Sequence, residues 1–366
     1  MKNSNSKINY NNSLSDKILF YRQQTLKRKT KYDQEQLDKP ITFWIKKERL
    51  LGEIGREFTI ILRTRGCDWA LGAHGGCSMC GYIKDANIEN VAPIHIKNQF
   101  DYALSSKLNE INNDPDNYVL KLFNSGSFLD EGEVSENARR YIYEKIAGIE
   151  KIKEVVLESR VEYITPEKLI EIKQYLKNKY IEIGIGLETI DDYIRNNYIN
   201  KGLLFSDFRN AIQICKEHNI GIKAYLLFKP PFVNEQGAID DCENSIKKLI
   251  KLKVNSISIN PLNIQKGTLT EFLWFQKRYR PPWYYSLFKC LKRSLSQEDL
   301  KVVRILSDPS GAGTKRGIHN CLKKECETSA KQVLRKFVLT QDLRELDKDT
   351  FDCNCKKRYK MQKSYY

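Results

Sequence analysis

Six short runs rich in β-branched residues recur between residues 57 and 260, and helix-length patterns lie between them. The runs are EFTIILRT (57–64), YVLKLF (118–123), EVVLES (154–159), YIEIGIGL (180–187), GIKAYLLF (221–228) and VNSISIN (254–260). Helical spacing marks 96–111, 165–179, 205–219 and 237–252, with Thr165 before Pro166 and Ser206 as expected N-caps. Strand–helix alternation of this kind predicts a parallel sheet with βα crossovers. Few charges interrupt the runs, which predicts a sheet buried on both faces. An open doubly wound sheet would fit too, but neither GxGxxG nor GxxxxGK[ST] follows any run. Polar residues collect instead just past the strand ends: Arg63 and Arg65, Asn124 with Ser125 and Ser127, Glu158 with Arg160, and Glu188. That is where a (β/α) barrel builds its active site. The expected fold is therefore α/β, a partial (β/α)6 TIM-like barrel open on one side.

Around it the chain divides into a basic polar arm (1–40), the barrel (41–265) and a C-terminal extension (266–366). The arm is expected to be poorly ordered, with one plausible helix near residues 21–32. Within the extension, KRYRPPWYYSLFKCLKRS (277–294) mixes basic and aromatic residues. It could clasp RNA by phosphate pairing and stacking, or pack its aromatics on the barrel. The 62 Lys and Arg against 46 Asp and Glu leave a formal charge of +16, which suits a polyanionic partner such as RNA or an anionic surface. Lys, Ile and Asn are abundant throughout, so part of that excess reflects composition. No stretch approaches the roughly 20 apolar residues that cross a bilayer, and the N-terminus lacks an apolar signal core. A cytoplasmic protein without a membrane partner is expected.

Ten cysteines in such a chain point to metal or redox chemistry rather than disulfides. The segment RTRGCDWALGAHGGCSMCGY (63–82) spaces Cys67, Cys77 and Cys80 as C-x9-C-x2-C, starting where the first strand ends. Three thiolates are one short of a closed site, whereas a cubane on three thiolates leaves one iron open. The intervening LGAHGG is small enough to wrap closely around a cluster. Zinc with His74 as fourth ligand is the alternative, and Trp69 and Tyr82 flank the triplet. Cys215, Cys242 and Cys290 stand alone in helical patterns and read as small buried hydrophobes. Cys321, Cys326, Cys353 and Cys355, with His319 in reserve, are enough for a closed zinc site. A second iron–sulfur cluster and unliganded thiols remain the alternatives there.

Together with the triplet, NSGSFLD (124–130), LESRVEYIT (157–165) and GIGLET (184–189) resemble the radical S-adenosylmethionine (SAM) enzymes of the elongator-subunit type. RGIHNC (316–321) and CNCKK (353–357) extend the likeness to the archaeosine-biosynthesis radical SAM family known as RaSEA. The resemblance implies a [4Fe–4S] cluster on Cys67, Cys77 and Cys80, with SAM on its open iron. It implies Asn124, Ser125, Gly126 and Ser127 near the SAM amino group, and Glu158 and Arg160 near its ribose and carboxylate. Glu188 would meet cofactor or substrate. Each polar residue could instead simply order its loop. Met79 departs from the family, whose members often carry an aromatic residue before the last cysteine, beside the adenine. The resemblance further implies a lyase in tRNA modification that cleaves the lysine C–N bond of a 7-deazaguanine adduct. It would act with tRNA, the lysine-transferring archaeosine synthase ArcS and an electron donor. Two alternatives are a radical SAM enzyme on another RNA, protein or small molecule, and a noncatalytic RNA-binding protein with two metal sites. No residue is assigned as radical relay.

Overall fold

In this computed structural model, which describes residues 13–29, 31–348 and 353–365, one eight-stranded sheet follows the order of the chain. Strands β1 (Thr42–Arg49) and β2 (Ile54–Ile61) form an antiparallel hairpin. From β2 onward all neighbours are parallel: β3 (Tyr118–Phe123), β4 (Ile152–Glu158), β5 (Tyr180–Glu188), β6 (Gly221–Phe228), β7 (Ser256–Pro261) and β8 (Arg304–Leu306). Strands β2 to β7 are the six expected runs. The sheet gains one strand at each edge, and β8 carries it past the boundary expected at residue 265.

Arg304 on β8 reveals the curvature. Its guanidinium donates to Glu154 on β4 at 2.6 Å, to Glu182 on β5 at 2.7 Å and to the Arg49 carbonyl on β1 at 3.2 Å. In a flat sheet β4 and β8 would stand about 19 Å apart. The sheet is therefore curled into the expected partial barrel.

Alternation along the strands then sorts the side chains. Phe58, Ile60, Leu120, Leu122, Val155, Leu157, Ile183 and Ile222 face outward into the main core. The inner face is buried too, as expected, but with charged side chains rather than apolar ones. Glu57, Lys121, Glu154, Glu182, Lys223 and Arg304 are all buried there. Lys121 bridges Glu48 and Glu57, while Arg304 bridges Glu154 and Glu182. Removing one member of such a buried set would strand its partners, at several kcal/mol.

Helix α1 (Leu14–Lys27) precedes the sheet, and five helices cover its outer face. These are α2 (Pro93–Asn113), α3 (Glu136–Ala147), α4 (Pro166–Tyr175), α5 (Phe205–Glu217) and α6 (Glu235–Lys251). Thr165 caps α4, accepting from the Lys168 amide. Ser206 is not a cap: α5 starts one residue earlier, and Asp207 accepts from the Leu204 amide at 3.2 Å. Beyond β7 come α7 (Leu269–Phe275), α8 (Tyr284–Ser294), α9 (Lys324–Thr340) and α10 (Cys355–Gln362). Cys215, Cys242 and Cys290 are buried among apolar neighbours, as expected. Among the described residues no helix is long and apolar enough to cross a membrane.

Candidate active site

The cysteine loop leaves β2 through Leu62, whose amide bonds the Phe123 carbonyl of β3 at 2.7 Å. Gly66 sits at φ +101°, and a Cβ there would meet Ile83 at 2.6 Å and Ala86 at 2.7 Å. Gly76, at φ +83°, admits equally close neighbours, with the Arg22 guanidinium 3.3 Å from a Cβ placed there. Arg22 comes from α1 and is buried. It donates to the Gly75 carbonyl at 2.9 Å and the Cys80 carbonyl at 2.7 Å. The segment expected as a poorly ordered arm is thus, over residues 14–27, a helix clamped onto this loop. Its first turn is closed by a capping box on Ser13. Residues 1–12 of that arm lie outside the described residues.

A second clamp comes from the turn after β5. The Asn200 amide group donates to the carbonyls of His74 at 2.9 Å and Gly76 at 2.8 Å. Trp69 Nε1 donates to the Asn200 carbonyl at 2.8 Å, and the Ser78 amide to that of Ile199 at 2.8 Å. The His74 ring stacks on Trp69, centroids 4.3 Å apart. His74 is therefore held by packing on Trp69. Met79 and Cys77 are partly buried against an apolar cluster that includes Ile18, Leu262 and Ile264, and Tyr82 is half-exposed close to Cys80.

Cys67, Cys77 and Cys80 are half-buried and lie within electrostatic range of one another. Burial pushes all three thiols up, Cys77 to about 11, while Lys201 beside Cys77 and Arg22 beside Cys80 draw them down. Metal binding would complete the shift to thiolate.

Opposite the triplet, the loop after β3 passes so close that a Cβ on Gly126 would lie 2.7 Å from the Cys67 Cα and 1.8 Å from Glu133. Only glycine fits there. Glu133, which sequence reasoning missed, organises this loop. Its carboxylate accepts from the Asn124 side chain, the Ser127 amide and the Thr64 hydroxyl, each at 2.7 Å. Burial still pushes the Glu133 carboxyl up to about 7. The Ser127 hydroxyl accepts from the Arg160 amide at 3.0 Å, and Ser125 donates to the Tyr82 carbonyl at 3.3 Å. Ser125 and Ser127 therefore order backbone, whereas Asn124 keeps a buried Oδ1 without a protein partner.

Arg160 lies over the Trp69 ring and donates to the carbonyls of Lys201 and Gly202 at 3.2 and 3.3 Å. Beside it a cavity of about 500 Å³ opens between Trp69, Glu162, Leu203 and Asn210. Glu158 points into the barrel beside Tyr225 and Lys223, where burial pushes its carboxyl up to about 7. Lys223 is buried there too, and burial lowers it to about 7. Glu188 sits at φ +68° where the β5–β6 register shifts, and its carboxylate lies beside the inward-facing Gly186. It accepts from Lys201 Nζ at 2.8 Å. Gly184 and Gly186 are inward-facing: a Cβ on the first would meet the Tyr225 ring at 2.8 Å, and one on the second Lys201 Nζ at 2.6 Å. Lys201, Lys223 and Tyr225 were not singled out from sequence. The alternate glycines of GIGLE were the available signal, marking space reserved on the inner face.

These features suit a cluster with a chelating cofactor. Three thiols of one loop lie within electrostatic range of one another, a side-chain-free backbone at Gly126 lies against Cys67, and a spare acceptor waits on Asn124.

The C-terminal residues assemble separately. The sulfurs of Cys321, Cys326, Cys353 and Cys355 all lie within 4.8 Å of one another. His319 stays outside that group, and its Nδ1 engages the Gly317 carbonyl at 2.7 Å. Within 277–294, Tyr279, Trp283, Tyr284 and Phe288 are buried, so these rings serve packing and not base stacking.

No protein-family model matches the chain. Archaeosine synthase subunit beta of Methanosarcina acetivorans is 36% identical over 337 residues, covering 92% of this chain and 93% of that protein. Its namesake in Thermococcus kodakarensis is 37% identical over 323 residues, covering 87% and 96%. An uncharacterized protein of Methanocaldococcus jannaschii is 41% identical over 320 residues, covering 87% and 85%. Among solved structures, Elp3 of Methanocaldococcus infernus with an N-terminal deletion aligns at a TM-score of 0.46 and 14% identity, covering 67% of this chain and 59% of that one. The radical SAM methyltransferase TsrM of Kitasatospora setae aligns at 0.41 and 11%, covering 61% and 37%. On the two named relatives, matched over nearly their whole length, the chain belongs to the archaeosine synthase subunit beta family.

Proposed function

We propose that the chain is a cytoplasmic radical SAM enzyme of tRNA modification that cleaves the lysine C–N bond of a 7-deazaguanine adduct, leaving the formamidine of archaeosine. The adduct would be made by the lysine-transferring synthase ArcS. The observation that carries this reading is the triplet Cys67, Cys77 and Cys80 at the C-terminal mouth of a barrel lined with charge, in a chain related to archaeosine synthase subunits. Bound there and reduced by an electron donor, a [4Fe–4S] cluster with SAM supplies a carbon radical able to take hydrogen from an unactivated C–H.

The chain's own residues would do the positioning. Asn124 Oδ1 accepts from the SAM amino group while its Nδ2 stays fixed by Glu133. Arg160 offers charge to the SAM carboxylate, and Glu158 accepts from the ribose. The Glu188–Lys201 pair presents both charges beside Cys77, where the zwitterionic end of a lysine adduct could be read. Gly126 and Ser127 keep the backbone close to the cluster, and the buried Lys223 with the half-buried Tyr225 closes the barrel floor against water. For the RNA, a cavity of about 400 Å³ lined by Lys277, Arg280, Lys315 and Arg358 supplies phosphate contacts.

Anaerobically reconstituted protein given SAM and reductant should release 5′-deoxyadenosine. With ArcS and tRNA bearing the lysine adduct, it should yield the formamidine. Release of 5′-deoxyadenosine without formamidine would retain radical chemistry and reject the substrate. Absence of 5′-deoxyadenosine would reject the reading altogether.

A further inference from the structure

We propose that Cys321, Cys326, Cys353 and Cys355 bind one tetrahedral zinc ion, and that this ion fastens the C-terminal helix α10 to the rest of the chain. The inference is independent of the reaction proposed above.

Spacing is the first argument. Zinc–sulfur bonds of about 2.3 Å in a tetrahedron set neighbouring sulfurs about 3.8 Å apart. Cys321 and Cys353 sulfurs are 3.7 Å apart, and those of Cys326 and Cys355 are 3.9 Å apart. A disulfide would need about 2 Å, so neither pair is joined. A cubane would push the four sulfurs much further apart, because its own iron and sulfide core must fit between them. The quartet is drawn to the span of a single ion, and thiolates favour zinc over magnesium or calcium.

Closure is the second. Four thiolates complete the tetrahedron and leave no position for water or substrate, which marks a structural ion. Supporting groups are in place: the Asn320 side chain donates toward Cys326 Sγ at 3.7 Å, and the Tyr285 hydroxyl lies 3.4 Å from Cys355 Sγ. A tetrathiolate zinc carries net negative charge. Arg280, Arg358 and Lys356 lie over the neighbouring rings of Trp283 and Tyr285 and offset it.

Need is the third. Helix α10, CKKRYKMQ, has eight residues and buries only Cys355 and Tyr359. An isolated helix of that length is unstable in water. The cluster it joins is small, consisting of Trp283, Cys326, Cys353, Cys355 and Tyr359 with Tyr285 and Cys321 at its edge. Four of those seven are the proposed ligands, so the metal supplies much of what burial cannot. Through α10 it also holds the tail on α6, where the Gln236 amide bonds the Lys363 carbonyl and Asn234 the Ser364 carbonyl, at 3.1 and 3.0 Å.

The test separates this site from the triplet. Full-length protein carrying Cys67→Ala, Cys77→Ala and Cys80→Ala should retain one zinc per chain by elemental analysis. X-ray absorption at the zinc edge should show four sulfurs at about 2.3 Å. In otherwise intact protein, Cys326→Ala with Cys355→Ala should lose the zinc and keep its iron. Trypsin should then cut within Lys356–Lys360 at least about tenfold faster, as expected when opening limits cleavage. Should that variant fail to fold, chelation of the unaltered protein must produce the same gain in cleavage. Iron and sulfide in place of zinc, or four freely titrating thiols without metal, would overturn the proposal.

Discussion

The two cysteine groups use the same side chain in opposite surroundings. The triplet lies in a glycine-rich loop at the barrel mouth, facing Glu158, Arg160, Glu188 and Lys201. The quartet lies against Trp283, Tyr285 and Tyr359, in one of the few places where the extension has an apolar cluster of its own. One group is a ligand short and surrounded by charge. The other is complete and walled by rings. Charged side chains line the place where a bound molecule would sit, whereas a structural ion is sealed off by its own protein. The clamps differ accordingly: carbonyls of the triplet loop are held by Arg22 and Asn200 from outside, while the quartet's own sulfurs join its segments.

The largest effect that could break this division is on activity. Replacing Cys67, Cys77 and Cys80 by alanine should reduce 5′-deoxyadenosine release to background, with loss of reconstituted iron. The thermal midpoint should change little, because Arg22 and Asn200 bind the loop through backbone carbonyls that the substitutions leave in place. A collapse in stability comparable to loss of the quartet would show that the triplet too is structural, and the contrast would fail.

Cys326→Ala with Cys355→Ala should do the reverse. Release of 5′-deoxyadenosine without RNA should stay within about twofold of the parent, while the C-terminal region loses several kcal/mol of local stability. Hydrogen exchange should report this as lost protection in α10 and the first turn of α9, with β2 to β7 unchanged. Equal loss across the barrel would mean the quartet supports the whole fold.

A pH experiment sharpens the comparison from the side of the open site. Glu133 is buried with its carboxyl pushed up to about 7, by burial above all. Folded protein therefore binds more protons than unfolded protein between pH 4.5, the unperturbed value, and 7. Its contribution is full below that window and is lost as pH rises through 7, an effect of up to about 3 kcal/mol. Urea midpoints of the unaltered protein should fall from pH 5 to pH 8. Glu133→Gln should flatten that slope and weaken SAM binding, since the amide cannot accept from both Asn124 and Ser127. An unchanged slope would transfer the pH dependence to Glu158.

Much of this contrast was legible along the chain, because its signals are local. Periodicity located β2 to β7, and the two cysteine spacings were visible without any fold. What was missed depends on residues far apart in sequence. Arg22 meets Cys80 across 58 positions, and Arg304 meets Glu154 across 150. Strand β1 carries Lys46, Lys47, Glu48 and Arg49 and resembles a solvated turn, while β8 has only three residues. The charges within YVLKLF, IKEVVLE and IEIGIGLE were the overlooked local signal. Alternating with apolar residues, they announce that the buried inner face carries charge.

The smallest expected effect tests what the zinc-tied helix contributes beyond stability. Arg358, on α10, faces the same cavity of about 400 Å³ as Lys277, Arg280 and Lys315. Arg280 is a poor probe. It is stacked on Trp283 at 3.6 Å and bonded to the carbonyls of His319 and Asn320, so its loss would unsettle the fold. Burial lowers its pKa to about 10, the Glu235 carboxylate opposes that, and the Arg358 charge lowers it further, as expected of a cationic pocket suited to an anion. Lys315 is exposed at the rim, and its replacement by alanine should leave both metal sites and the thermal midpoint intact. If RNA phosphate sits here, tRNA affinity should fall about three- to tenfold at low salt. The slope of log affinity against log salt should fall by about one. Lys277→Ala should add a similar step. A slope unchanged by both would direct the RNA elsewhere, leaving the quartet a clamp for the fold alone.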